Sequence, residues 1–90
     1  MATSYPELKL FIGGQWLAAD GRVVQPVLNP ATEAVLGQLP HASKADLDRA
    51  LEAAQRSFPA WRAKPPHERG RILRRAAELL RERTEAIARM

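Results

Sequence analysis

The fold of this chain is decided by Ser43–Met90, SKADLDRALEAAQRSFPAWRAKPPHERGRILRRAAELLRERTEAIARM, which holds over half of the 90 residues. Apolar residues recur in it at spacings of three and four, which places them on one face of a helix, and charged residues occupy the opposite face. Each of the two predicted helices therefore needs a partner surface. The apolar faces consist of Leu47, Ala50, Leu51, Ala54, Phe58 and Trp61 in the first helix, and of Ile72, Leu73, Ala76, Leu79, Leu80, Ile87 and Met90 in the second.

The first predicted helix has a clear start and a proline near its end. Ser43 and Asp46 have the spacing of a capping box, in which each side chain binds the backbone amide of the other residue. Pro59 disfavours helical geometry at the residue before it. The sequence therefore predicts a helix that begins after Ser43 and ends near Ser57.

The second predicted helix begins after a break at Lys64–Pro66 and shows no stop signal before Met90. We expect the chain to be truncated at that end. By helical phase, Arg69 and Arg83 project toward the apolar face, where a cation needs a paired carboxylate or an exposed head group. No uncommitted acidic residue is evident in the sequence, so we expect the partner to lie outside it.

The residues before this helix pair contain short β-rich runs separated by turn signals. Gly13-Gly14 predicts a two-residue hairpin turn. Pro26 confines its strand to a sheet edge. The predicted fold class is α+β, with a short antiparallel β-meander followed by two amphipathic helices. The predicted organisation is a loose lead-in at 1–7, a β-meander at 8–40 with strands at 8–12, 15–17, 23–28 and 34–39, and a helix pair at 41–90.

Composition and charge limit the classes of function. The chain has no cysteine, which excludes disulfides and thiolate chemistry, and no apolar run long enough to span a membrane. Since no secretory signal is evident either, we expect a cytoplasmic location. The net charge is +4, and residues 62–90 hold nine Arg or Lys against four Glu. Their signs alternate, with Arg74 and Glu78, and Glu85 and Arg89, four residues apart, which favours a self-paired solvated face over a nucleic-acid site.

No set of side chains in the sequence forms a recognisable active site. His41 and His67 lie outside any spacing typical of metal ligands or of an activated nucleophile. Gly13-Gly14 is better explained as a hairpin turn than as a phosphate nest. Trp16 and Trp61 are better explained as core aromatics than as base-stacking residues. We therefore predict no catalytic, cofactor-binding or metal-binding residue in the chain.

A series of short motifs nevertheless suggests a family. They are Leu10–Trp16, Asn29–Thr32 followed by Val35 and Gly37, Ala42–Ala54, Phe58 with Trp61, Glu68 with Arg69, and Leu73–Leu80. In this order and spacing they resemble the amino-terminal part of the NAD(P)-dependent aldehyde dehydrogenases, with succinate-semialdehyde dehydrogenase as the most similar member. One departure is Glu33, which stands where the family often has glycine. At a positive φ it would add strain of about 1 kcal/mol.

The resemblance implies that the chain is part of a larger α/β enzyme, the parent, in which residues 41–90 belong to the cofactor-binding domain. Such enzymes oxidise an aldehyde to a carboxylic acid with NAD or NADP, using a cysteine thiolate and a glutamate-activated water that would lie outside these residues. The chain alone is then expected to be inactive and to bind no cofactor. The implied partners are the remainder of the polypeptide and a homo-oligomer, with no nucleic acid and no membrane. Val27 and Leu28 match carbonyl positions that help to hold a monovalent cation in some members.

Two other functions stay open at the level of sequence. The chain could be a freestanding basic helical module that binds nucleic acid through Arg71, Arg74, Arg75 and Arg81. It could also be a small structural protein that covers its apolar faces by self-association.

Overall fold

The computed structural model of the chain describes residues 5–90, so part of the lead-in predicted at 1–7 lies outside the described residues. Within residues 5–90, four strands come first and three helices follow, which confirms the predicted α+β class. Residues 5–9 have no regular secondary structure. The elements are β1 (Leu10–Ile12), β2 (Gln15–Leu17), β3 (Val24–Leu28), β4 (Val35–Pro40), α1 (Lys44–Ala63), α2 (Pro66–Glu82) and α3 (Thr84–Ala88).

The four strands form two separate antiparallel hairpins, β1 with β2 and β3 with β4, and not the single meander that was predicted. The chain turns after β2, where the Arg22 amide donates to the Ala19 carbonyl at 2.9 Å, and β3 then pairs with β4 and not with β2. Gly13 and Gly14 join β1 to β2 with φ of 59° and 79°. Positive φ at both residues is what the predicted two-residue hairpin turn requires.

Glu33, in the turn between β3 and β4, has a φ of 62°. The positive φ under which strain was expected at this residue is therefore present. The Glu33 amide donates to the Asn29 carbonyl at 2.7 Å, and the Asn29 amide donates to the Ala34 carbonyl at 2.8 Å. These bonds hold the left-handed residue in place. Pro26 lies within β3, where its missing amide is tolerated because a two-stranded sheet has only edge strands.

Helix α1 starts as predicted but runs further than predicted. Ser43 and Asp46 form the full capping box. The helix continues through Pro59 to Ala63, so the end predicted near Ser57 is wrong. Proline removes one helical hydrogen bond and biases the preceding residue toward extended geometry, but it does not forbid a helix. In α1 the turns on both sides of Pro59 remain helical.

The second half of the chain contains two helices after α1, where one was predicted. Helix α2 begins at Pro66, as expected for a proline in the first turn. It ends at Glu82, and α3 follows from Thr84. The Thr84 hydroxyl donates to the carbonyls of Leu80 and Arg81 at 3.3 and 2.7 Å. Such bonding back to the preceding turn bends helices, which gives a physical reason for the break.

The described residues form no hydrophobic core. Pro40 apart, no apolar side chain among residues 5–90 is buried, although many line the faces that the sequence predicted. The radius of gyration is 17.2 Å, against about 12 Å for a compact domain of this length. The accessible surface of 7693 Å² exceeds the roughly 5,200 Å² of a compact 10.0 kDa monomer by roughly 2,500 Å². The helical faces are therefore open.

Candidate functional site

The histidines considered as candidate site residues lie apart. His41 Nε2 lies 3.0 Å from Gln25 Oε1, across the β3–β4 hairpin. His67 is exposed in the first turn of α2. No group of three or more His, Cys, Asp or Glu among residues 5–90 could hold a metal ion. Val27 and Leu28 flank a shift in the β3–β4 register, and cation binding by their carbonyls stays a prediction.

The glycine turn does not fit a dinucleotide. It joins two antiparallel strands and leads into β2, whereas a dinucleotide cradle leads into a helix whose amides face the phosphates. Gly13 instead faces α1, and a Cβ built on it would lie 3.8 Å from the Ala53 methyl. This glycine turn is therefore not a cradle for the phosphates of NAD or NADP.

The two tryptophans do not stand in a shared core. Trp16 is 68% exposed and stacks on Phe11 with ring centroids 4.7 Å apart. Trp61 is half-buried near the end of α1. The expectation that Trp16 is a core aromatic is therefore wrong for this chain by itself, because nothing among residues 5–90 covers the outer face of its hairpin.

A buried ion pair ties the loop after β2 to the start of α1. Arg22 donates from Nε to Asp46 Oδ2 at 2.7 Å and from Nη2 to Asp46 Oδ1 at 2.6 Å. Its Nη1 donates to the Ala18 carbonyl at 2.8 Å. The Ser43 amide donates to the same Oδ2 at 2.9 Å, as the capping box requires. Asp46 is 3% exposed and is the one buried charged residue among those described.

These hydrogen bonds determine the charge state of the pair. The bonds from Arg22, followed by the bond from the Ser43 backbone, hold the pKa of Asp46 well below its ordinary 3.8. The bond to Asp46 in turn raises the pKa of Arg22 above its ordinary value. Both groups therefore stay ionised at neutral pH. Sequence reasoning found the capping role of Asp46 but missed Arg22, because 24 residues separate them and no local spacing links them.

Ion pairs on the outer face of the later helices differ in part from those predicted. Glu85 pairs with Arg89 at 3.4 Å, as predicted. Glu78 pairs with Arg75 at 3.2 Å and not with Arg74, so that prediction is wrong. Positions three and four apart are both neighbours on a helix, and Arg75 also reaches Glu82 at 3.5 Å.

The open face of α2 carries two arginines, as the helical phase predicted. The Nε atom of Arg69 is buried and has no hydrogen-bond partner among residues 5–90. Arg83 lines a shallow groove whose other walls are apolar. We call this surface the α2 face. By helical phase it consists of Arg69, Ile72, Ala76, Leu79, Leu80, Arg83 and Ile87. Arg71 and Arg75 border its groove beside Ile72.

The arrangement can therefore bind another surface. Among residues 5–90, no helix is long and apolar enough to cross a membrane.

Comparison with known proteins agrees with this description. A model of the aldehyde dehydrogenase family matches residues 16–90. Malonate-semialdehyde dehydrogenase 1 of Geobacillus thermodenitrificans is 41% identical over 90 residues, which is 100% of this chain and 19% of that protein. Malonate-semialdehyde dehydrogenase of Halalkalibacterium halodurans is 40% identical over 84 residues, covering 93% of this chain and 17% of that protein.

A solved structure gives the same result for the fold. The crystal structure of an NAD-dependent benzaldehyde dehydrogenase from Corynebacterium glutamicum matches 88% of this chain with a TM-score of 0.79 and 42% identity. The match covers 17% of that chain. The strands and helices thus correspond to part of an aldehyde dehydrogenase structure, and the chain spans about 19% of the length of the first curated relative.

Proposed function

Because the chain belongs to the aldehyde dehydrogenase family, we propose that it acts as the amino-terminal scaffold of a larger NAD(P)-dependent enzyme. The observation that carries this proposal is the uncovered apolar surface of α1 and α2, since no apolar side chain of either helix is buried. Exposed apolar area of this extent marks an interaction surface. The chain has about 19% of the length of its first curated relative, so the natural covering partner is the remaining part of such a polypeptide.

The proposed reaction of that larger enzyme is oxidation of an aldehyde to a carboxylic acid. The motifs suggested succinate semialdehyde, but the curated relatives reported above are malonate-semialdehyde dehydrogenases. For this reason, we propose malonate semialdehyde rather than succinate semialdehyde as the substrate of the larger enzyme. The two substrates differ by one methylene group, a difference that a pocket distinguishes by only about 1–3 kcal/mol.

NAD or NADP would be held outside the described residues, since the glycine turn does not fit a dinucleotide. The bound nucleotide supplies the hydride acceptor. The contribution of this chain is positional: the β1–β2 hairpin packs on α1, the Arg22–Asp46 pair holds the following loop against the start of α1, and α2 offers its apolar face. Assembly into a homo-oligomer is part of the same proposal.

Fragment complementation tests the proposed function. The 90-residue chain is co-expressed with the Geobacillus thermodenitrificans relative lacking its matching amino-terminal segment. We expect the two polypeptides to copurify and to form NADH from malonate semialdehyde, whereas each alone is inactive. The matched control is Leu80→Asp, which places a charge on the α2 face and should prevent assembly.

The alternatives give different results in the same samples. Activity of the 90-residue chain alone would refute the scaffold role, and so would failure of the two polypeptides to copurify. A freestanding nucleic-acid module would instead bind duplex DNA with an affinity that falls by about one log unit per log unit of salt for each phosphate contact. We expect no such binding at physiological salt, because Arg75, one of the four arginines that such a module would use, is already engaged with Glu78 and Glu82.

A further inference from the structure

Gly37 lies in the middle of β4, where glycine weakens a strand because it has no side chain to pack. Its φ is not positive, unlike that of the three glycines in the described turns. The β3–β4 register shifts next to its partner Val27, but the bulge that requires glycine needs a left-handed residue. Backbone geometry therefore does not explain why glycine occupies this position.

The ring of Tyr5 occupies the space that a side chain at Gly37 would need. A Cβ built on Gly37 would lie 3.1 Å from Tyr5 Cδ1 and 3.2 Å from Tyr5 Cε1, which is closer than two carbon atoms pack comfortably. Gly37 is half-buried, although residues 35, 36, 38 and 39 of the same strand are exposed. An aromatic ring laid on a strand glycine covers backbone that no side chain covers. The lead-in is therefore packed on β4 through Tyr5.

Pro6 prepares the lead-in for this contact. Proline restricts the preceding residue to extended geometry, so Tyr5 has fewer backbone conformations to lose when its ring packs. Residues 5–9 have no regular secondary structure, and β1 begins directly after them at Leu10. Since five residues span at most about 18 Å, the ring contact limits how far the start of β1 can move from β4.

The two hairpins share no strand pairing, so their relative position depends on contacts of this kind. The Arg22–Asp46 pair already holds the loop between them against α1. We propose that Tyr5 is a strap, whose ring holds the lead-in on Gly37 and thereby keeps the β1–β2 hairpin beside the β3–β4 hairpin. Tyr5 lies outside residues 16–90, the segment that matches the family model. The strap lies within this chain and needs no partner polypeptide.

Nuclear magnetic resonance of the 90-residue chain tests the strap directly, because Tyr5 is its only tyrosine. We expect a nuclear Overhauser effect between the Tyr5 ring protons and the Cα protons of Gly37. In Gly37→Val this contact should be lost, and the amide order parameters of residues 7–9 should fall below about 0.6, the range of flexible backbone. Valine favours strands, so the pairing of residue 37 with Val27 should persist.

Gln38→Val is the matched control for the valine substitution. Gln38 is the next residue of β4, and side chains alternate between the faces of a strand, so the new valine lies on the face opposite Tyr5. It should leave the Tyr5 contact and the order parameters of residues 7–9 unchanged. Tyr5→Ala should loosen these residues as Gly37→Val does, whereas Tyr5→Phe should match wild type because it keeps Cδ1 and Cε1.

Three results would overturn the strap. They are absence of the Tyr5–Gly37 contact in wild type, order parameters in Gly37→Val equal to those of wild type, and a loss of order in Tyr5→Phe as large as in Tyr5→Ala. If Gly37→Val also loses its pairing with Val27, Tyr5→Ala decides, since it leaves β4 unaltered. None of these results bears on the scaffold role, because the sample contains no partner polypeptide.

Discussion

Truncation of Leu80 should weaken association without harming the free chain. Leu80 lies in the groove of the α2 face and is 60% exposed in the described structure. Leu80→Ala removes three carbon atoms, worth about 2.4 kcal/mol if they were transferred completely from water to an apolar contact. Since 60% of the residue remains to be covered, the expected loss on docking is about 1.4 kcal/mol, or about tenfold in the dissociation constant.

The assay is a competition in which tagged wild-type chain and an untagged variant are co-expressed with a limiting amount of the Geobacillus relative lacking its amino-terminal segment. Mass spectrometry gives the ratio of the two chains in the complex, and Arg81→Ala is the matched control. Arg81 is the next residue along α2 and lies outside the α2 face, so its truncation should leave the ratio of incorporated chains nearly unchanged. Helix content of free Leu80→Ala should equal or slightly exceed that of wild type, because alanine is the strongest helix former.

Two results would refute the reasoning. Equal competition by Leu80→Ala and Arg81→Ala would mean that the α2 face is not covered in the complex. A loss of helix content in free Leu80→Ala would mean that Leu80 already supports the isolated fold, contrary to its exposure.

Three further predictions follow from local features. Glu33→Gly should relieve the strain of the left-handed backbone at this residue. After subtraction of the entropy cost of glycine, the assembled complex should gain about 0.5–1 kcal/mol of stability, measured as a higher melting temperature. The control Glu33→Ala should not raise the melting temperature. Because the pKa of Asp46 is depressed, its contribution to stability is complete above its ordinary 3.8 and is lost as pH falls below that value. Circular dichroism should show that wild type loses helix content as the pH falls from 6 to 2. Asp46→Asn should lose less helix content over the same range, because only the contribution of the other carboxylates remains. The isolated chain should melt without a sharp cooperative transition, since residues 5–90 form no hydrophobic core. Calorimetry that found a cooperative monomer would contradict the scaffold role.

The Arg22–Asp46 pair and the open α2 face serve different purposes in this account. The pair is satisfied within the described residues and fixes the loop after β2 on the start of α1. The α2 face is apolar and uncovered in the described residues, so it is available to a partner. A scaffold needs both properties: internal joints that preserve its shape, and an external surface that binds only when the partner is present.

Local patterns in the sequence predicted the features that depend on neighbouring residues. The capping box at Ser43 and the hairpin turn at Gly13-Gly14 arise from bonds and dihedral angles within a few residues, so spacing alone revealed them. The apolar faces and the inward phase of Arg69 follow from the 3.6-residue period of the helix in the same way.

The features that sequence reasoning missed depend on competition between alternatives or on residues distant in the chain. Helix α1 passes through Pro59 because the bias against a helix there is weak, and the hydroxyl of Thr84 ends α2 although threonine is not a strong stop signal. Only the tertiary structure brought Arg22 to Asp46, since a contact across 24 residues leaves no periodic trace in the sequence. The sequence by itself determined which faces are apolar, through local periodicity. The tertiary structure decided that these faces stay uncovered, because whether a face is buried depends on how far the other elements of the chain can reach.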